Sequence, residues 1–289
     1  MCWPAIESSK QEKELTSLLL KHFDNSSFSQ LIELRFQQTS APTEFLDLYR
    51  NYQSTMHARG YLMIQMFRKR LEKTFKTPDS FLALDLGCGV GSSSAVLAKQ
   101  FQWVIAVDPS LPDLILAKKY FEENKITNVI LVRSFAQNLP IKSGSISLAT
   151  SINVIEHLFD VQGAFAELHR VLKRKGCFCG DSRNRFDLFF PEPHAQLRWV
   201  GFWPRRLQPW YVNKLRNVSY SSAYLLSCFE LRKYARATFG KSYTIVMPLV
   251  SAYGHSTQLD EIIRALEKLP LLRNLAIFFF PSHLLIAQK

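Results

Sequence analysis

The sequence predicts an α/β fold: a doubly wound, seven-stranded, mostly parallel sheet, with a helical N-terminal extension and a cap inserted after the fifth strand. Three observations lead there. Between Phe81 and Asp181, short apolar runs alternate with segments of helical period, the pattern of a parallel sheet covered by helices on both faces. The first run, Leu84-Asp85-Leu86, enters Gly87-Cys88-Gly89-Val90-Gly91, where three glycines stand at alternate positions before a helix-compatible stretch. After Ser182 the alternation stops and an aromatic, proline-rich segment begins.

Each element follows in order. Lys13 to Phe23 carries Leu15, Leu18, Leu19 and Phe23 at helical spacing, and Phe28 to Phe36 reads as a second short helix. Thr43 to Phe75 reads as one long helix or two, with Tyr52 on its apolar side and Pro78-Asp79 ending it. Strands are expected at Phe81–Asp85, Trp103–Asp108, Val129–Arg133, Ser147–Ser151 and Gly176–Asp181, with helices at Ser92–Gln100, Pro112–Asn124 and Val161–Leu172 between them. Arg183 to Ser219 holds four prolines and three tryptophans, too apolar for a flexible linker, and reads as an ordered cap. Tyr220 to Phe239 has a helical pattern. Ser242–Met247 and His283–Gln288 read as two final strands, with a helix at Gln258–Leu269 between them. The expected units are therefore 1–78 (helical extension or lid), 79–182 (ligand-binding core), 183–240 (substrate cap and helix) and 241–289 (strands completing the sheet).

Composition narrows the class. A chain of 289 residues with 47% hydrophobic residues can bury a large core. The five cysteines are odd in number and none forms a C-x-x-C pair, so all are read as reduced thiols of a cytoplasmic protein. Cys177 and Cys179 are expected to diverge on their strand. Met1 to Lys13 has no apolar core of signal-peptide length. Leu269 to Phe280 is apolar, but Arg273 and Asn274 interrupt it, and a spanning helix needs roughly 20 apolar residues. The net charge of +12 reads first as solvated faces, and leaves open an anionic small-molecule acceptor or a peripheral contact with an anionic membrane. Nucleic acid is not an expected partner: no RNA-binding signature or dense basic tail accompanies the charge. Oligomeric state is not legible.

Glycines at a strand-to-helix turn let a ligand approach the backbone. Ser92 stands where a dinucleotide loop would place its last glycine, and Asp85 would repel a pyrophosphate but suits a cation. Asp108 ends the second strand nineteen residues after Gly89, where such a loop expects a ribose-binding acid. Together these residues resemble motif I of the class I S-adenosylmethionine-dependent methyltransferases, which are Rossmann-like.

The resemblance implies S-adenosylmethionine as cofactor. It places Gly87, Cys88, Gly89 and Gly91 at the amino-acid part, Asp85 near the ammonium, and Asp108 with Pro109 at the ribose. Phe135-Ala136-Gln137-Asn138-Leu139-Pro140 is similar to the family's adenine stretch, D-A-x-x-L-P, with Phe135 in place of the acid and Ala136 lining the pocket. Ser147 likewise replaces an acid of the S-F-D-x-V motif. Asn153-Val154-Ile155-Glu156-His157-Leu158 resembles the segment after strand four, with Asn153 facing the sulfonium side, His157 a candidate general base, and Glu156 orienting it or sharing a metal. His194, in Pro191-Glu192-Pro193-His194, is the competing base. Arg183, Arg185, Arg206, Trp203 and Tyr52 are candidate acceptor-binding residues, and no metal site is expected. His169 reads as a helix-surface residue. The function implied is methylation, by preference at oxygen, of a small-molecule, sugar or lipid-linked acceptor. A weakly active or inactive binding protein of the same fold, and an RNA methyltransferase, are the alternatives.

Overall fold

The computed structural model describes residues 9–38, 46–47, 50, 55–74, 81–218, 220, 223–248 and 257–289. The expectations at Tyr52, over most of Thr43–Asn51 and at Pro78-Asp79 lie outside the described residues. Helices α1 (Ser9–His22), α2 (Phe28–Gln37) and α3 (Met56–Thr74) precede the sheet. Then β1 (Leu82–Leu86), α4 (Ser92–Ala98), β2 (Trp103–Asp108), α5 (Leu111–Glu123) and β3 (Val129–Arg133) alternate. They are followed by β4 (Ile146–Ser151), α6 (Val161–Val171) and β5 (Leu172–Arg183). The chain continues through α7 (Gln208–Arg216), α8 (Cys228–Phe239), β6 (Tyr243–Val246), α9 (Thr257–Glu267), α10 (Pro270–Phe279) and β7 (Ser282–Gln288).

The seven strands lie in the order β3-β2-β1-β4-β5-β7-β6. Strands β1 to β5 pair in parallel, and β7 runs antiparallel to both β5 and β6. The architecture is Rossmann-like. Central β1 is apolar on both faces because both are covered. Leu84 and Leu86 join Phe165 and Phe178 on one side, while Ala83 joins Val104, Met63 and Phe67 of the α3 layer on the other. The order reverses at β1, between β2 and β4, so the loops leaving β1 and β4 flank one crevice at the carboxyl ends of the strands. Doubly wound sheets bind ligands there.

The structure corrects the sequence reading in four places. Cys177 and Cys179 do not diverge: residues two apart on a strand return to the same face, and both sit in the cluster with Met63 and Phe67. The helix expected from Tyr220 begins at Cys228, because Ser227 and Glu230 form a capping box, and Leu226 instead bridges to Asn184. Helices α7 and α10 were not anticipated, although each has proline in its first turn, where a missing N–H costs nothing. Strand β5 starts at Leu172, directly at the end of α6, rather than at Gly176. Among the described residues no helix is long and apolar enough to cross a membrane.

The N-terminal helices lie against α5. Leu15, Leu19, Leu31, Ile32 and Phe36 pack with Ile115, Leu116 and Val90. Arg35 forms a buried ion pair with Asp113 of α5. Glu12 accepts hydrogen bonds from Leu111 N–H (3.2 Å) and Arg133 (2.9 Å). The extension thereby reaches the helix that follows Asp108.

Candidate active site

The glycine loop is fastened to β2. Gly87 and Cys88 both donate their N–H to the Val107 carbonyl, at 2.8 and 3.0 Å, and Gly91 N–H donates to the Cys88 carbonyl at 2.9 Å. Gly87, Gly89 and Gly91 all have positive φ, which side chains with a Cβ rarely adopt. Their surroundings differ. A Cβ at Gly87 would strike Val154, and one at Gly91 would strike Phe121 of α5. A Cβ at Gly89 would meet nothing within 4 Å. The first and third glycines thus permit packing, and the middle one borders open space.

Asp85, one residue before the end of β1, is buried. Its carboxylate accepts from Ser93 (2.9 Å), Ser94 (2.6 Å) and Thr150 (3.2 Å), which ties β1 to α4 and β4. Burial raises its pKa, and these hydroxyls oppose the rise. Asp108 accepts from Gly89 N–H and Ser110 N–H, both at 2.9 Å. Burial, and next the nearby Asp113, push its pKa up to about 7, against the pull of the two N–H donors and Arg35. Pro109 is exposed, and its carbonyl accepts from Arg133 at 3.0 Å. Cys88 is buried, which pushes its thiol up.

Phe135 follows β3 and is 59% exposed, so it is not a core residue, whereas Ala136 beside it is buried. Asn153, after β4, has φ 55° and donates its N–H to Asp181 of β5 at 2.8 Å. Ser147 is buried within β4.

His157 and His194 come together. Their ring centroids lie 5.0 Å apart with planes at 75°. One comes from the short helical turn after β4, the other from the cap, 37 positions further along the sequence. Glu192 holds the second: one oxygen meets His194 Nδ1, and the other accepts from the backbone N–H of His194 (2.9 Å) and Ala195 (2.6 Å). Tyr220 also hydrogen-bonds Glu192, and burial raises its phenol pKa, Glu192 adding to the effect. Glu156, next to His157 in sequence, is buried, and its Oε2 has no hydrogen-bond partner among the described residues. Sequence reasoning singled out both histidines but missed Glu192, Tyr220 and Arg205. The signal for Glu192 was its place two residues before His194, between two prolines.

The cap arginines have different surroundings. Arg185 donates to the carbonyls of Gly201 (2.7 Å) and Trp203 (3.2 Å), and so holds the cap's own backbone. Arg183 donates to Ser282 at 3.2 Å. Both line a cleft with Asp187, Glu192 and Trp199. Arg206 is exposed, while Arg205 stacks 3.5 Å over Tyr224 and pairs with Glu230 at 2.6 Å. Trp203 stacks on Tyr211 at 5.2 Å. His169, half-buried on α6, contacts Phe239 edge-on. Among the described residues, no three His, Cys, Asp or Glu side chains are arranged to hold a metal.

Comparison with known proteins agrees with this geometry. Residues 84–180 match the family model described as a methyltransferase domain. A methyltransferase of Bacillus subtilis, YcgJ, is 29% identical over 142 residues, which cover 49% of this chain and 54% of that protein. A ubiquinone biosynthesis O-methyltransferase of Bradyrhizobium is 27% identical, over 49% of this chain and 56% of that one. A Thermotoga maritima structure described as an S-adenosylmethionine-dependent methyltransferase, a possible histamine N-methyltransferase, superimposes with a TM-score of 0.53 at 20% identity. That overlap covers 85% of this chain and 97% of that one, and shows a shared fold. The chain spans about half the length of the curated relatives it matches. Residues 84–180 thus match a methyltransferase domain, and the fold is shared with an S-adenosylmethionine-dependent methyltransferase, which points to S-adenosylmethionine as the cofactor.

The residues present fit that cofactor. The open space at Gly89 is a cradle that a Cβ would fill. Asp108 accepts two bonds, and a carboxylate has room for more. Phe135 offers an exposed aromatic face at the end of β3.

Proposed function

We propose that this chain is a methyltransferase that methylates a hydroxyl oxygen of a small-molecule, sugar or lipid-linked acceptor held beneath the cap. The observation that carries the reading is the pairing of His157 with His194 at the crevice, with Glu192 on the second ring.

When bound, S-adenosylmethionine supplies an electrophilic methyl carbon on a sulfonium that leaves as a neutral thioether. The Gly87–Gly91 backbone would hold its amino-acid part, Asp108 would accept from the ribose hydroxyls, and Phe135 would stack on the adenine. Asp85 shapes the loop through Ser93, Ser94 and Thr150, placing its negative charge behind the amino-acid end. The cap excludes water and positions the acceptor, and positioning supplies much of the catalysis in such a displacement. A hydroxyl becomes a good nucleophile as its proton leaves, and an imidazole of the His157–His194 pair takes that proton. Glu192 on Nδ1 favours the tautomer that carries its proton there and makes Nε2 the basic nitrogen.

The direct test is release of S-adenosylhomocysteine when the protein is given S-adenosylmethionine and a panel of phenols, sugars and lipid-linked alcohols. Turnover with a hydroxyl acceptor, lost in His157→Ala or His194→Ala, is expected. Turnover confined to amines would overturn the oxygen assignment. One observation favours a second reading, a binding protein without turnover: Phe135 stands where the class has an acid for the adenine amino group. Cofactor binding with no turnover on any acceptor would favour it.

A further inference from the structure

The corner where α9 meets α10 carries apolar surface that the fold does not use. Leu271 is 86% exposed and Leu275 60%, and Leu269 and Leu272 are exposed beside them. These leucines stand on a helix fixed from its other side. Ile277 packs with Ile263, Met247 and Phe280, and Phe278 stacks on Phe229 at 4.6 Å. Phe229, itself exposed, extends the patch. Cations belong to the same elements: Arg264 of α9, Lys268 of the turn between the helices and Arg273 of α10 are exposed, and the Arg232 guanidinium lies 5.5 Å over the Phe278 ring. Glu261 is an exposed acid on the same corner. The whole chain carries +12.

We propose that this corner docks on an anionic lipid bilayer, with the leucines of α10 in the boundary between headgroups and acyl chains and these cations against lipid phosphates. Apolar side chains on one face with cations beside them are what an interfacial helix presents. The geometry excludes spanning: ten residues of helix reach about 15 Å, against roughly 30 Å of hydrocarbon. Charge disfavours a second copy as the occupant, since each copy brings an excess of exposed cations (Arg264, Lys268 and Arg273) over the exposed acid Glu261. A nucleic acid would engage the cations and leave four leucines in water. Phosphates above an apolar layer satisfy both parts of the patch at once. Phe189, exposed and 6.2 Å from the Phe280 ring, carries the apolar surface on towards the cap. The inference stands apart from the catalytic reading and needs no methyl transfer.

Flotation of the purified full chain with vesicles tests it. Vesicles of phosphatidylcholine mixed with phosphatidylglycerol should carry the protein upward, vesicles of phosphatidylcholine alone much less, and added salt should weaken the association. The double variant Leu271→Glu/Leu275→Glu should lose about tenfold or more of the vesicle affinity, with unchanged circular dichroism because both sites are exposed. Lys268→Glu/Arg273→Glu should lose a comparable share through charge alone. Failure of the wild type to float with anionic vesicles, or unchanged flotation of both double variants, would overturn the proposal. A wild-type dimer that becomes a monomer in the leucine variant would also overturn it, by assigning the patch to self-association.

Discussion

The carboxylate of Asp108 accepts the backbone N–H of Gly89 at 2.9 Å, and so joins the end of β2 to the middle of the glycine loop. The two positions expected to meet the cofactor are thereby one unit. The acid expected to hold a ribose also sets the loop expected to hold the amino-acid part.

Gly89→Val should abolish cofactor binding with a modest loss of stability. A Cβ there meets no protein atom within 4 Å, so the added side chain points into the space where the ligand would lie. Its φ of 51° costs on the order of 1–2 kcal/mol for a residue with a Cβ. Calorimetric titration with S-adenosylhomocysteine, beside a thermal melt, reads both effects. Retained affinity would contradict the role given to the loop.

Binding should depend on pH through Asp108. Its carboxyl is pushed up to about 7, first by burial and then by Asp113. The ionised form accepts hydrogen bonds from both ribose hydroxyls at full strength, so affinity for S-adenosylhomocysteine should rise as pH rises through about 7. Stability of the ligand-free protein moves the other way. A carboxyl whose folded pKa lies above its unfolded value stabilises at low pH, and that contribution is lost as pH rises from the ordinary carboxylate range through about 7. Asp108→Asn should flatten both profiles, read by titration and by melting temperature across that window.

The histidine pair should show unequal dependence on Glu192. Glu192→Gln keeps an acceptor for the backbone N–H groups of His194 and Ala195 but removes the charge beside Nδ1. If His194 is the base, Glu192→Gln and His194→Ala should each lower kcat by roughly 10²–10⁴-fold, the range for a general base. His157→Ala would then cost less. The reverse order would make His157 the base and His194 its support. Unchanged kcat in all three would remove general-base catalysis and leave positioning alone.

Arg35→Ala should destabilise the chain by about 3–5 kcal/mol, because it strands the buried Asp113 carboxylate on α5. Arg35→Ala/Asp113→Ala should recover part of the loss. The double variant should bring Asp108 nearer the ordinary carboxylate range, since Asp113 raises it. Denaturant unfolding measures the first effect and the pH profile of binding the second.

Much of this was legible in the residues, for reasons that differ by region. The parallel core was readable because β1, β2 and β3 are short, largely apolar runs that alternate with segments of helical period. The glycine loop was readable because only glycine tolerates three positive φ values so close together. The roles of the three glycines were not, since Val154, Phe121 and open space are set by tertiary packing. His157 and His194 each stood out, but their approach to 5.0 Å depends on how the cap folds back. Glu192 was overlooked because a glutamate between prolines looks like a surface loop. Helix α7 was hidden within the proline- and tryptophan-rich stretch read as cap, where Trp203 stacks on Tyr211 and meets Trp210 edge-on.

The central claim is that the crevice between Asp108 and the histidine pair binds the cofactor. Calorimetric titration of the wild type and Asp108→Ala with S-adenosylhomocysteine tests it most directly. The expected result is saturable one-to-one binding, weakened by roughly 1–3 kcal/mol in the variant, the scale of a hydrogen bond to a charged group. No binding to the wild type, or the same dissociation constant in both proteins, would contradict it.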